Sequence, residues 1–87
     1  ILSPESVEEM LSDQIPDTKM GQGIFWATYE MGGQQLTGHD GGDLGVTTEM
    51  GFDPKTGDGF VLLMNYEWTP RSGPAFMAIE RALMTAP

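Results

Sequence analysis

No cysteine occurs among the 87 residues, which excludes disulfide staples, thiolate metal sites and thiol nucleophiles. Positive charge is scarce: 4 lysines and arginines face 13 aspartates and glutamates, for a formal net charge of −9. A surface that acidic repels phosphate backbones and anionic lipid headgroups, so neither nucleic acid nor a membrane docked through a basic face is an expected partner. Long apolar runs are missing too. The longest, Phe60-Val61-Leu62-Leu63-Met64, falls far short of the ~20 residues a spanning helix needs, so no membrane span is expected. The start, Ile1-Leu2-Ser3-Pro4, has neither an initiator methionine nor the basic-then-apolar pattern of a signal peptide. The chain therefore reads as processed at its start or as a piece of something longer. Its length suits one small domain with a thin core, burying about 60–65% of the unfolded surface.

What is present reads as a helix, a strand meander and a second helix. Ser3 is a good N-cap, Pro4 suits the first helical position, and Glu5 to Glu9 put negative charge at the positive end of the dipole. Val7, Met10 and Leu11 share one face, and Pro16 is expected to end the helix. Residues 16 to 22 read as a polar linker. From Gly23 the period becomes two, with Ile24, Trp26 and Thr28 alternating with Phe25, Ala27 and Tyr29. Gly32-Gly33 is a two-residue turn able to take positive φ twice, and Gln34 to His39 is the expected return strand. Gly38 to Gly45 holds four glycines in eight residues and is expected to interrupt the pattern. Val46 to Asp53 alternates again, Asp53 to Gly59 is dense turn chemistry, and Phe60 to Met64 is apolar throughout, as a strand buried on both sides would be. A helix is predicted from about Pro74 to Met84, with Phe76, Ile79, Leu83 and Met77 as its stripe. The fold class is α+β: an antiparallel four-strand meander with an N-terminal and a C-terminal helix.

In a simple meander the last strand, 60 to 66, lies at an edge, where apolar strands recruit other chains. Either a further strand belongs beside it or a second copy supplies one. A homo-oligomer through this strand is the expected partner arrangement.

Chemistry-bearing residues are few. Taken alone, His39 in its glycine-rich surroundings reads as a solvated loop residue. A metal site from His39, Asp40 and Asp43 has acceptable donors, but three near neighbours in one loop rarely complete a shell, so no metal and no cofactor is expected. Asp53 to Asp58 is not a calcium loop, because Lys55 and Gly57 occupy two of its oxygen positions. Trp26, Tyr29, Phe52 and Phe60 read as core, while Tyr66 and Trp68 could face a cleft or a neighbouring chain. The glutamates of the first helix read as a solvated face.

The segment Gly38 to Asn65, GHDGGDLGVTTEMGFDPKTGDGFVLLMN, resembles the C-terminal part of the serine β-lactamase-like hydrolases. These comprise class C β-lactamases, DD-peptidases (penicillin-binding proteins) and related esterases. In many esterase-like members the segment runs Gly-His-x-Gly-Gly, a loop, a strand ending in Phe-Asp-Pro, a turn, and an apolar strand ending in Asn. Gly21-x-Gly23 with Phe25-Trp26 is similar to the Gly-x-Gly-Trp strand that precedes it, and a closing helix fits as well. The likeness covers about residues 20 to 84.

The resemblance implies that His39, Asp40 and Gly41 form the third active-site motif, on the strand bordering the cleft. His39 would position or polarise. Gly41 would complete the His-x-Gly pattern, and Asp40 and Gly42 would lie on the substrate and oxyanion side, with the backbone at Gly41 and Gly42 serving the oxyanion. Preorganised donors of that kind are worth roughly 3–4 kcal/mol of barrier each.

The other two family motifs are absent. A Ser-x-x-Lys ending at Lys19 or Lys55 would need serine where Pro16 and Phe52 stand, and a Tyr-x-Asn ending at Asn65 meets Leu63. No nucleophile is therefore assigned in this chain. The implied reading is a C-terminal fragment, inactive alone, whose parent hydrolyses a small acyl compound or peptide through an acyl-serine. Lys55-Thr56-Gly57 spells the family's Lys-Thr-Gly, but between Pro54 and Asp58-Gly59 it reads as a hairpin turn. Against the hydrolase stands a second class, a non-catalytic α+β module that self-associates through strand 60 to 66.

Overall fold

The computed structural model describes residues 1–86 and holds two α-helices and one four-stranded antiparallel sheet, the expected α+β arrangement. Helix α1 spans Pro4–Leu11. Ser3 Oγ caps it by accepting from the Ser6 N–H at 3.1 Å, and Val7, Met10 and Leu11 are its half-buried face. It stops well before Pro16. Ser12 N–H still reaches Glu8 O at 2.9 Å, and Ser12 Oγ and Gln14 Nε2 donate to Glu9 O at 2.9 and 2.8 Å. Polar side chains thus satisfy the last carbonyls in place of another helical turn. Part of the expected linker, Pro16–Thr18, is a single 3₁₀ turn.

Strand β1 (Ala27–Met31) begins later than the alternation from Gly23 suggests. The backbone there is tied to α1: Gly23 N–H closes a turn onto Trp26 O at 2.7 Å, and Ile24 N–H donates to Met10 O at 2.8 Å. Phe25, inside that turn, has φ +67°. Gly32 and Gly33 follow β1 with φ of +60° and +82°, the double positive φ a tight hairpin requires. Strand β2 (Gln34–Asp43) then runs straight through the glycine-rich stretch that was expected to break it. Its register with β3 (Val46–Phe52) continues to Asp43 opposite Val46. Gly38 lies opposite Gly51, and a Cβ on Gly38 would overlap Met50 O and meet Tyr29 Cε1 at 3.0 Å. These paired glycines leave a furrow across the sheet in which the Tyr29 ring lies.

Strand β4 (Gly59–Met64) pairs only with β3, so the apolar strand is at the edge, as expected, although it stops short of residue 66. It is not buried on both sides. Phe60 and Leu62 are inside, whereas Val61 and Leu63 are 62% and 72% exposed. The reason is that helix α2 (Gly73–Thr85) covers one face of the sheet only. The core is Leu36, Phe60, Leu62 and Phe76, with Tyr29, Met31, Met64 and Met84 packed around it. The helix's inner stripe is Gly73, Phe76 and Glu80, continued by Met84, and the expected Ile79, Leu83 and Met77 are exposed instead. Trp68 packs at the head of this stripe. Its ring lies so close over Gly73 that a Cβ there would be 2.6 Å from Cζ2, and the spacing of three and then four residues carries that contact line to Phe76 and Glu80.

Candidate functional site

Strand β2 is longer than its partner on one side. Pairing with β1 ends at Ala27–Gly38, while pairing with β3 continues through His39, Asp40, Gly41, Gly42 and Asp43. From His39 onward β2 is therefore a local sheet edge, and alternate residues there direct N–H and C=O groups away from β3. All four residues singled out in the sequence lie on this overhang. His39 projects from the open face opposite Met50, and Asp40 from the helix-covered face opposite Glu49. Gly41 sits opposite Thr48, whose Oγ1 donates to Gly41 O at 3.3 Å; a Cβ at 41 would come within 2.9 Å of that oxygen. Gly42 is exposed opposite Thr47. The structure thus keeps His39, Asp40, Gly41 and Gly42 contiguous along one exposed edge, with alternating directions for their side chains.

Lys55-Thr56-Gly57 lies in the turn between β3 and β4. Asp53 organises it: its Oδ1 accepts from the Lys55 N–H at 2.7 Å, its Oδ2 accepts from Gln34 Nε2 at 2.8 Å, and its own N–H donates to Asp58 O at 2.8 Å. The hydrogen bond from Gln34, then that from the Lys55 amide, lowers the Asp53 carboxyl below its usual range. The four serines are engaged in local hydrogen bonds, Ser6 Oγ accepting from Ser3 Oγ at 3.0 Å. Ser3 and Ser12 cap α1, and Ser72 Oγ accepts from the Thr69 N–H at 2.8 Å while donating to Glu67 O at 2.9 Å. None is aligned with His39. Tyr66 and Trp68 are both exposed beyond the end of β4.

An acidic cluster under α2 was not anticipated. Glu80 is 7% exposed, and burial together with Glu49 pushes its carboxyl up to about 8. Tyr29 Oη is buried without a hydrogen-bond partner, and burial, then Glu49, Glu80 and Asp40, raises the phenol. Only the strand register, with Asp40 opposite Glu49, and the rotation of α2 bring these groups together.

The opposite face of the sheet carries a cavity of about 540 Å³, bordered by α1, the turn at 24–26 and the open sides of β2, β3 and β4. It too was not legible beforehand, because its walls come from segments far apart in sequence. Comparison with known proteins finds no family model, no curated protein and no solved structure that matches the chain.

Proposed function

We propose that this chain supplies the His-x-Gly strand of a serine hydrolase site of the β-lactamase-like type, with His39 as the polarising group and the backbone at Gly41 and Gly42 on the oxyanion side. The observation that carries the reading is the overhang of β2, where His39 to Asp43 are paired with β3 on one side and with no strand on the other among the described residues. An extended edge with unpaired donors beside an imidazole is what acyl transfer asks of such a strand. The nucleophile comes from elsewhere, since Ser3, Ser12 and Ser72 are engaged in capping and turn hydrogen bonds, and Ser6, in the first turn of α1, has only Ser3 as side-chain partner. The reaction is acyl transfer to that serine followed by hydrolysis, without a cofactor.

The test has two arms. The 87-residue chain, treated with a fluorophosphonate and then weighed intact, is expected to gain no adduct and to turn over no p-nitrophenyl ester. The natural gene product containing it is expected to be labelled at a Ser-x-x-Lys serine outside these residues, with ester turnover lowered at least tenfold by His39→Ala. Labelling of Ser3, Ser6, Ser12 or Ser72, or turnover indifferent to His39→Ala, overturns the reading.

A second reading rests on a separate observation, the free outer edge of β4 with Val61 and Leu63 exposed beside it. On this view the chain is a non-catalytic module that pairs β4 with β4 of a second copy. Sedimentation then shows a dimer at micromolar concentration, and a stable monomer at high micromolar concentration rules it out.

A further inference from the structure

We infer that the cavity on the open face of the sheet is a binding site for a small, uncharged aromatic or aliphatic molecule. Its walls are mainly Met10, Phe25, Trp26, Met50 and Leu63, with His39 as a polar neighbour. About 540 Å³ lies within the usual range for small-molecule sites, as does an apolar lining with a few polar groups. One side of the cavity is braced. The Trp26 and Phe52 rings meet edge to face with centroids 5.9 Å apart, and Ile24 N–H on Met10 O holds the turn against α1.

A second observation points the same way. Phe25 is a bulky residue in the left-handed region, with φ +67°, and its side chain is 79% exposed. That conformation is costly for any residue with a Cβ, and an exposed ring recovers nothing from the protein's own packing. Glycine would make the same turn without strain. A phenylalanine held there at the cavity rim is accounted for by a molecule that covers its ring.

Charge narrows the ligand class. Neither lysine nor arginine lines the cavity, the Asp40 and Glu49 side chains belong to the helix-covered face, and the whole chain carries −9. An anion entering would meet repulsion with no compensating cation. A cation would find no carboxylate on this face to pair with, and a charge set among apolar side chains without a partner is costly, so the occupant is neutral. The inference stands apart from the hydrolase reading, because it requires no nucleophile and no reaction.

Two probes with one aromatic body separate the possibilities: neutral N-phenyl-1-naphthylamine and its sulfonated analogue 1-anilinonaphthalene-8-sulfonate. Titrated into the full chain, the neutral probe is expected to bind saturably at one site per chain, and the sulfonate at least tenfold more weakly. Phe25→Gly is expected to raise the melting temperature while weakening the neutral probe severalfold. Met50→Arg is expected to weaken it at least tenfold, with the circular dichroism unchanged. No saturable binding, equal binding of the sulfonate, or a Phe25→Gly chain that binds as well as the parent overturns the inference. So does affinity that falls as protein concentration rises, which would mean a second copy covers the face. Neither probe contains an ester, so their failure leaves the hydrolase reading untouched.

Discussion

At the scale of single residues, the furrow formed by Gly38 and Gly51 explains most about this sheet. Tyr29 reaches from β1 across β2 because two facing glycines leave room, and the reach takes its hydroxyl to a buried point with no partner. A buried unsatisfied hydroxyl costs about 1–3 kcal/mol, so Tyr29→Phe is expected to raise the thermal midpoint. Gly51→Ala has the opposite outcome. Its methyl group would overlap Tyr29 Oη and come within 2.9 Å of Phe60 Cε1, and overpacking of that kind costs about 1–3 kcal/mol, read as a lower midpoint. Glu80 and Asp53 give stability a two-sided pH profile. Glu80 is pushed up to about 8 from 4.5, so the fold favours its neutral form; that contribution is complete below pH 4.5 and is lost as pH rises toward 8. Asp53 is lowered from 3.8, so its contribution is present above that value and is lost as pH falls below it. The midpoint should therefore be highest at about pH 4–5. Glu80→Gln should flatten the alkaline limb alone in pH-dependent thermal melts. None of this was legible from the residues singly. A glycine-rich stretch reads as a break until its partner strand shows that the glycines accommodate a ring.

At the scale of elements, most of the architecture was legible and the exceptions share one cause. Capping at Ser3, the Gly32-Gly33 turn, the turn from Asp53 and the edge position of β4 are decided by neighbours in sequence. The misread features are the late start of β1, the uninterrupted β2, the one-sided burial of β4 and the rotated stripe of α2. Each is decided by a packing or pairing contact that periodicity does not show: α1 holds Ile24, β3 carries β2 onward, α2 covers one face of β4, and Trp68 packs on the start of α2. Because α2 alone covers the sheet, Phe76 carries an unusual share of the core at 4% exposure. Phe76→Ala is expected to cost about 3–5 kcal/mol, against about 5–15 for a whole domain. Loss of a cooperative thermal transition with much of the far-ultraviolet signal retained would be the signature; an unchanged midpoint would show that the helix is not needed.

For the molecule as a whole, charge and exposed apolar surface pull in opposite directions. Two chains of −9 repel each other, while the open face and the β4 edge offer surface to bury. Salt screens the first and leaves the second, with a screening length of about 8 Å at 0.15 M. Self-association measured by sedimentation should therefore strengthen from low salt to about 0.15 M; weakening would show that ion pairs rather than apolar surface join the copies. The candidate site divides along the same line of legibility. Its contiguous residues, His39 to Gly42, could be picked out from their order along the chain, whereas the cavity and the acidic cluster arise only once separate segments meet.

The meander also has a consequence in time. Every strand pairs with its neighbour in sequence, through turns that close over a few residues. No pairing has to wait for a remote stretch of chain to be found, so little loop-closure entropy is spent before contacts begin to return it. The sheet can zip up hairpin by hairpin from either of its two-residue turns, Gly32-Gly33 or Leu44-Gly45.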